Sequence, residues 1–187
     1  MLKRIVVALA GAALAIGVAV PASADSTPKV DRTEFAAVKR GTSLTKVQST
    51  FDATGKKTSE YIGTYVKSQT REWKTTTSEY GWVIVDFTKK NGVWVLDSKA
   101  VHWGVDATNT ADKMTKAEFQ KIWNGKTIAQ VRSIAGTKGT NVYEYLSQYQ
   151  KTITVEWPVD SEYGYAQVDF KWKNGAYTVV GKNAYWG

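Results

Sequence analysis

The sequence predicts an α+β chain made of two copies of one unit, each a helix-turn-helix followed by a four-stranded antiparallel sheet. An internal repeat, paired helix-start signals and runs of alternating Thr, Tyr, Val and Trp predict it. The decapeptide from Ser78 to Phe87 returns, altered, as Ser161 to Phe170. Sliding the chain by 84 residues aligns Glu34-Phe35 with Glu118-Phe119, Gly41 with Gly125, and Glu72-Trp73 with Glu156-Trp157. After a one-residue loss the offset is 83, and Lys90-Asn91-Gly92 meets Lys173-Asn174-Gly175. About 26 of roughly 71 aligned positions are identical. That is the mark of a tandem repeat of one supersecondary unit.

Taken in order, the chain opens with Met1, Leu2, Lys3 and Arg4, an apolar run from Ile5 to Val20, and Pro21-Ala22-Ser23-Ala24. A positive start, a short apolar core and a small-residue end read as a secretory signal peptide over residues 1–24, cut near Ala24. An exported protein without a membrane span is expected. Residues 25–32 read as a flexible leader. Repeat 1 then spans 33–104, a linker 105–116, and repeat 2 117–187. Glu34 to Arg40 puts Phe35 and Val38 on one helical face, and Gly41 offers a left-handed stop. Ser43 caps a second helix that turns Leu44, Val47 and Phe51 inward. In the second copy Thr115 with Glu118, and Thr127 with Gln130, have the spacing of capping boxes.

Alternation and turn residues place strands near 60–67, 69–76, 80–88 and 93–103, and near 143–150, 151–157, 163–172 and 176–186. Along the repeated strand, Gly81, Val83, Val85 and Phe87 share one face, suited to packing under helices. Tyr80, Trp82, Ile84 and Asp86 share the other, as do Tyr163, Tyr165, Gln167 and Asp169. Two helices cover one face of four strands, so this second face is expected to stay open. Trp73 and Trp157 read as core, whereas the exposed rings Tyr80, Trp82, Tyr163 and Tyr165 read as a binding surface. Glu79-Tyr80 puts a carboxylate and a ring on a protruding turn. The faces of Trp94, Trp103 and Trp186 depend on bulges that alternation does not reveal.

The formal charge is +8, and without residues 1–24 it is +6, from 23 cations and 17 anions. No block of like charges appears, which argues against a nucleic-acid groove. There is no cysteine and one histidine, His102, whose twin is Tyr185. Thiol and histidine-triad chemistry, metal sites and cofactors are therefore not expected, and no catalytic residue is assigned. The repeated acids Glu72, Glu156, Asp86 and Asp169 are equivalent by duplication. A hydrolase needs two differently tuned carboxylates, so they read as solvated or lysine-paired.

Two tandem units, each opening Phe-x-x-(Val/Ile)-x-x-Gly-x-(Ser/Thr)-x-x-x-Val (Phe35 to Val47, Phe119 to Val131), resemble the β-lactamase inhibitory protein family of secreted actinobacterial proteins. The resemblance covers residues 33–187. It implies a concave eight-stranded sheet, helices on the convex side, that clasps a class A β-lactamase or a related penicillin-binding enzyme. It also implies that a first-repeat hairpin inserts an Asp-Tyr pair, matched here by Glu79-Tyr80, into the enzyme's active site. Tyr163 matches the second hairpin's aromatic residue, and Trp186 a C-terminal tryptophan on the concave face. Asp169 and Lys171 stand where the family carries His and Trp. Such charges are depleted at interface cores, and the family's disulfides have no counterpart in this chain. The expectation is a monomeric, non-enzymatic protein-binding protein. A second reading is an exported envelope module, without inhibitory activity, whose positive charge adheres to anionic wall polymers or membrane surfaces.

Overall fold

The computed structural model describes residues 27–104 and 113–187. The signal-peptide reading and most of the expected linker lie outside these residues. The chain order is β1 (Lys29–Val30), α1 (Arg32–Ala37), α2 (Leu44–Thr50), β2 (Lys56–Ile62), β3 (Lys67–Thr75), β4 (Trp82–Lys90) and β5 (Val93–His102). It continues with α3 (Lys116–Gln120), α4 (Ile128–Ala135), β6 (Thr140–Leu146), β7 (Lys151–Pro158), β8 (Tyr165–Lys173) and β9 (Ala176–Tyr185). One largely antiparallel sheet runs β3-β4-β5-β6-β7-β8-β9, with β1 and β2 both on the outer edge of β3. β5 and β6 join the halves through four residue pairs, from Lys99 with Leu146 to His102 with Tyr143.

The helices start where the caps place them. Ser43 accepts from the Lys46 amide at the head of α2, and Thr115 and Thr127 form both expected capping boxes. Asp31 forms a third with Glu34 at α1. Over its described part, residues 27–32, the expected flexible leader is held in place: Val30 is fully buried, β1 pairs in parallel with Lys74 and Thr75, and Asp31 caps a helix. A buried valine and a satisfied helix end hold this segment in place. β1 also brings the sheet to nine strands instead of eight. The linker ends earlier than expected, because Met114 is buried and Thr115 is already a cap. Helix α1 stops at the extended Val38 and not at Gly41, whose left-handed backbone serves the next turn.

Each helix pair is hydrogen-bonded to the last strand of its own half. Gly41 donates to the Leu96 carbonyl at 2.8 Å and the Leu96 amide to Thr42 at 2.8 Å; Gly125 and Lys126 bond Val179 likewise. All helices cover the same face, over two apolar cores. Val47, Phe51, Val83, Val85 and Phe87 are fully buried in the first, and Val131, Val155, Ala166, Val168 and Phe170 in the second. Trp73 and Trp157 are core residues, as expected. Their indole N–H groups donate to the Ala53 and Thr137 carbonyls at 2.9 and 3.2 Å. Each ring lies flat on a positive-φ glycine, Gly55 or Gly139, where an added Cβ would sit 2.3 or 2.5 Å from it. Only a residue without Cβ permits that approach.

Two β-bulges decide the remaining tryptophans. In β5 Phe87 faces Leu96 but Asp86 faces Ser98, leaving Asp97 extra; in β9 Phe170 faces Val179 and Asp169 faces Gly181, leaving Val180 extra. One extra residue exchanges the faces of everything beyond it. Trp94 precedes the first bulge and Trp103 follows it, so positions of opposite parity both pack on the helix side. Trp186 follows the second bulge and packs there too, with Phe119 edge-on at 5.7 Å. The placement of Trp186 on the open face is thereby corrected.

Candidate functional site

The open face is built from side chains that alternate with the core. Across β4, β5 and β6 one row of partners reads Trp82, His102, Tyr143, and the next reads Ile84, Ala100, Tyr145. Trp82 stacks on His102 with ring centroids 5.9 Å apart and 24° between planes, and Tyr143 stands edge-on to Trp82 at 6.3 Å. Such arrangements suit the ring quadrupoles and hold the side chains rigid. Burial of the Tyr143 ring pushes its phenol pKa above the ordinary value. The same rows continue into Thr154 and Asp169, and into Thr152 and Lys171.

Carboxylates on this face are held by hydroxyls and amides. Asp86 accepts from Thr70 at 2.7 Å and Ser98 at 2.6 Å, Asp169 from Thr154 at 2.6 Å, and Glu156 from the Gln167 amide at 2.6 Å. Of the four repeated acids, Glu72 has a lysine within reach, Lys74 at 3.8 Å. The hydroxyl and amide bonds tie the carboxylates to side chains on neighbouring strands.

Two hairpin turns project from one end. In the first, Gly81 closes the turn by donating to the Ser78 carbonyl at 3.1 Å, and the Tyr80 amide donates to the Ser78 hydroxyl at 3.2 Å. Gly81 lies against Thr75, whose hydroxyl an added Cβ would strike at 1.8 Å. Glu79 is exposed and Tyr80 is 82% exposed. The second turn repeats this closure from Gly164 to Ser161 at 3.4 Å and leaves Tyr163 77% exposed. β4 and β8 run in the same direction, so both turns leave the same end of the sheet. Four strand spacings, roughly 19 Å, separate them.

Of the eight residues singled out from sequence, seven fall on this surface: Glu79, Tyr80 and Tyr163 on the turns, and Trp82, Tyr165, Asp169 and Lys171 on the open face. Trp186 is on the opposite face. The residues between the two groups were missed. His102, Tyr143 and Tyr145 complete the face because β6, the outer strand of its own half, pairs with β5. The alternating Tyr143 and Tyr145 were the available signal. Among the described residues no cluster of His, Asp and Glu could hold a metal ion.

No curated protein matches the chain. The fold is similar to the 1.40 Å crystal structure of a Streptococcus mutans protein provisionally described as a β-lactamase inhibitor, with TM-score 0.51, 12% identity, and coverage of 84% of this chain and 90% of that one. At that identity the likeness concerns the fold alone. The model of the β-lactamase inhibitor (BLIP) family matches residues 31–159, well over half of the chain, and includes both helix pairs and the Glu79-Tyr80 turn. By this match the chain belongs to the β-lactamase inhibitor (BLIP) family.

Proposed function

We propose that this chain is a non-enzymatic inhibitor-type protein that grips a class A β-lactamase or a penicillin-binding enzyme with its open sheet face. Residues 1–24 export it and are removed near Ala24, and the mature protein acts as a monomer, its two repeats forming one hollow surface. The observation that carries the reading is the pair of exposed rings, Tyr80 and Tyr163, leaving one end of a face whose middle is the Trp82-His102-Tyr143 stack. Rigid aromatic groups supply contact area at low entropic cost and dominate interface energetics. The Glu79 carboxylate beside Tyr80 supplies an anion where such enzymes bind the carboxylate of a penicillin. Being one methylene longer than the family's aspartate, it tunes which enzyme is held, because charge-assisted hydrogen bonds are sensitive to small displacements.

Titration of the purified protein against a panel of class A enzymes, with calorimetry alongside, tests this. Binding at micromolar or better affinity, weakened at least tenfold by Glu79→Ala or Tyr80→Ala, is expected. No heat and no inhibition with any enzyme of the panel would overturn the target class.

A further inference from the structure

The end of the sheet opposite Glu79 and Tyr80 has a different chemistry. Four turns meet there: β2–β3, β4–β5, β6–β7 and β8–β9. The segments around them, residues 62–67, 88–95, 146–151 and 170–178, hold Lys67, Lys89, Lys90, Lys151, Lys171 and Lys173 and not one acid. Six lysines equal the whole net charge of residues 25–187, so the rest of that chain is balanced. At the other end the turns carry Glu79, Asp160 and Glu162, with Lys113 paired to Asp160 at 2.9 Å. The molecule is therefore electrically polar along its strands. All six lysines are exposed. Their turns follow one another across eight strands, a line of about 29 Å at ordinary strand spacing.

Exposed apolar groups stand at the tips of two of these four turns. Tyr65 is 98% exposed at the tip of the β2–β3 hairpin, with Ile62 at 66% and Val66 at 53% beside it, and Tyr149 is 85% exposed at the tip of β6–β7. A cavity of about 360 Å³ opens between the first two tips, lined by Thr64, Tyr65, Lys67, Lys89 and Gly92. Lysines flanking protruding tyrosines and aliphatics suit an anionic bilayer surface, in which phosphates lie outside an apolar interior. A hydrated polyanion would satisfy the lysines but could not bury Ile62, Tyr65 and Val66.

We propose that this basic, tyrosine-tipped end is a docking surface for anionic phospholipid membranes. The tips enter the headgroup layer, Lys67 and Lys89 receive a lipid phosphate in the cavity between them, and the remaining lysines lie along the surface. The attachment proposed is through these side chains; among the described residues no helix is long and apolar enough to cross a membrane. Docked by this end, the protein directs Glu79 and Tyr80 away from the lipid, and Lys171, on the open face near this end, is shared by the two surfaces.

Sedimentation with vesicles tests it. The protein should pellet with phosphatidylglycerol–phosphatidylcholine vesicles at low salt, stay in solution with phosphatidylcholine alone, and be released by about 0.5 M salt. Lys89→Glu with Lys90→Glu should lower partitioning at least tenfold, and Ile62→Ser with Tyr65→Ser severalfold. Glu79→Ala with Tyr80→Ala should leave it unchanged, which separates this surface from the enzyme-binding one. Circular dichroism establishes that each variant is folded. Failure to pellet with anionic vesicles at low salt overturns the proposal. So does retention on a soluble polyphosphate with an Ile62, Tyr65 double variant behaving as wild type on vesicles, the signature of a polymer ligand.

Discussion

Tyr80 and Trp73 show how aromatic side chains serve opposite ends according to their neighbours. Tyr80 stands on a turn closed by Gly81, with its ring turned out to solvent. Tyr80→Ala should therefore leave the melting temperature within about 1 °C, a surface substitution costing under about 0.5 kcal/mol, while removing most enzyme binding. Trp73 lies on Gly55, and there the fold is unforgiving. Gly55→Ala would force a Cβ against the indole at a left-handed backbone position. We expect a loss of about 2–4 kcal/mol by urea denaturation, from strain and core displacement together; Gly139→Ala under Trp157 should behave alike. The identity of Gly55 with Gly139 was legible in the repeat, but not its reason, because the tryptophan that demands it is 18 residues away.

At the scale of elements, each first helix has an end that another element completes. The Lys99 ammonium, buried, donates to the Phe35 and Val38 carbonyls, the latter at 2.8 Å, and lies 3.9 Å from the Phe35 ring. Its twin Lys182 does the same for the Phe119 carbonyl at 2.6 Å, but in the open. Burial lowers the Lys99 pKa to about 8, helped by the nearby Lys39 charge. The unfolded chain, with a value near 10.5, then binds more protons than the folded one between pH 8 and 10.5, so this group makes stability rise with pH across that window. Lys99→Met should flatten the rise, which urea titrations at pH 7.5 and pH 10 would detect. Thr127→Ala removes one half of a capping box and should cost about 1 kcal/mol. Both caps could be read from residue spacing; the lysine could not, since it acts on a helix some 60 residues earlier.

For the whole molecule, two separate cores share one sheet, and the seam between them is narrow. Four residue pairs of β5 and β6 cross it, with the buried Trp103 indole donating to Glu144 at 3.1 Å and Arg32 to the Asn141 carbonyl at 3.0 Å. Glu144→Ala orphans a buried donor, a loss of about 1–3 kcal/mol. Because that loss falls on the seam, the urea transition should broaden or divide, with tryptophan fluorescence and far-ultraviolet dichroism no longer coincident. Coincident single transitions would show that the halves unfold as one regardless.

What the sequence determined by itself is what is local or periodic: the α+β class, three of the four helix starts, six strands to within two residues with β2 and β6 placed three to five residues too late, and the aliphatic face of the repeated strand. These follow from capping chemistry and the two-residue period, which involve near neighbours only. The tertiary structure decided the rest. Parity fails at a bulge, and so Trp186 lies under the helices; pairing of β5 with β6 created the His102-Tyr143 centre; β1 drew the leader into the sheet. Charge is the clearest case. Along the chain the lysines are scattered, but antiparallel strands return alternate turns to the same end, and there the whole excess collects.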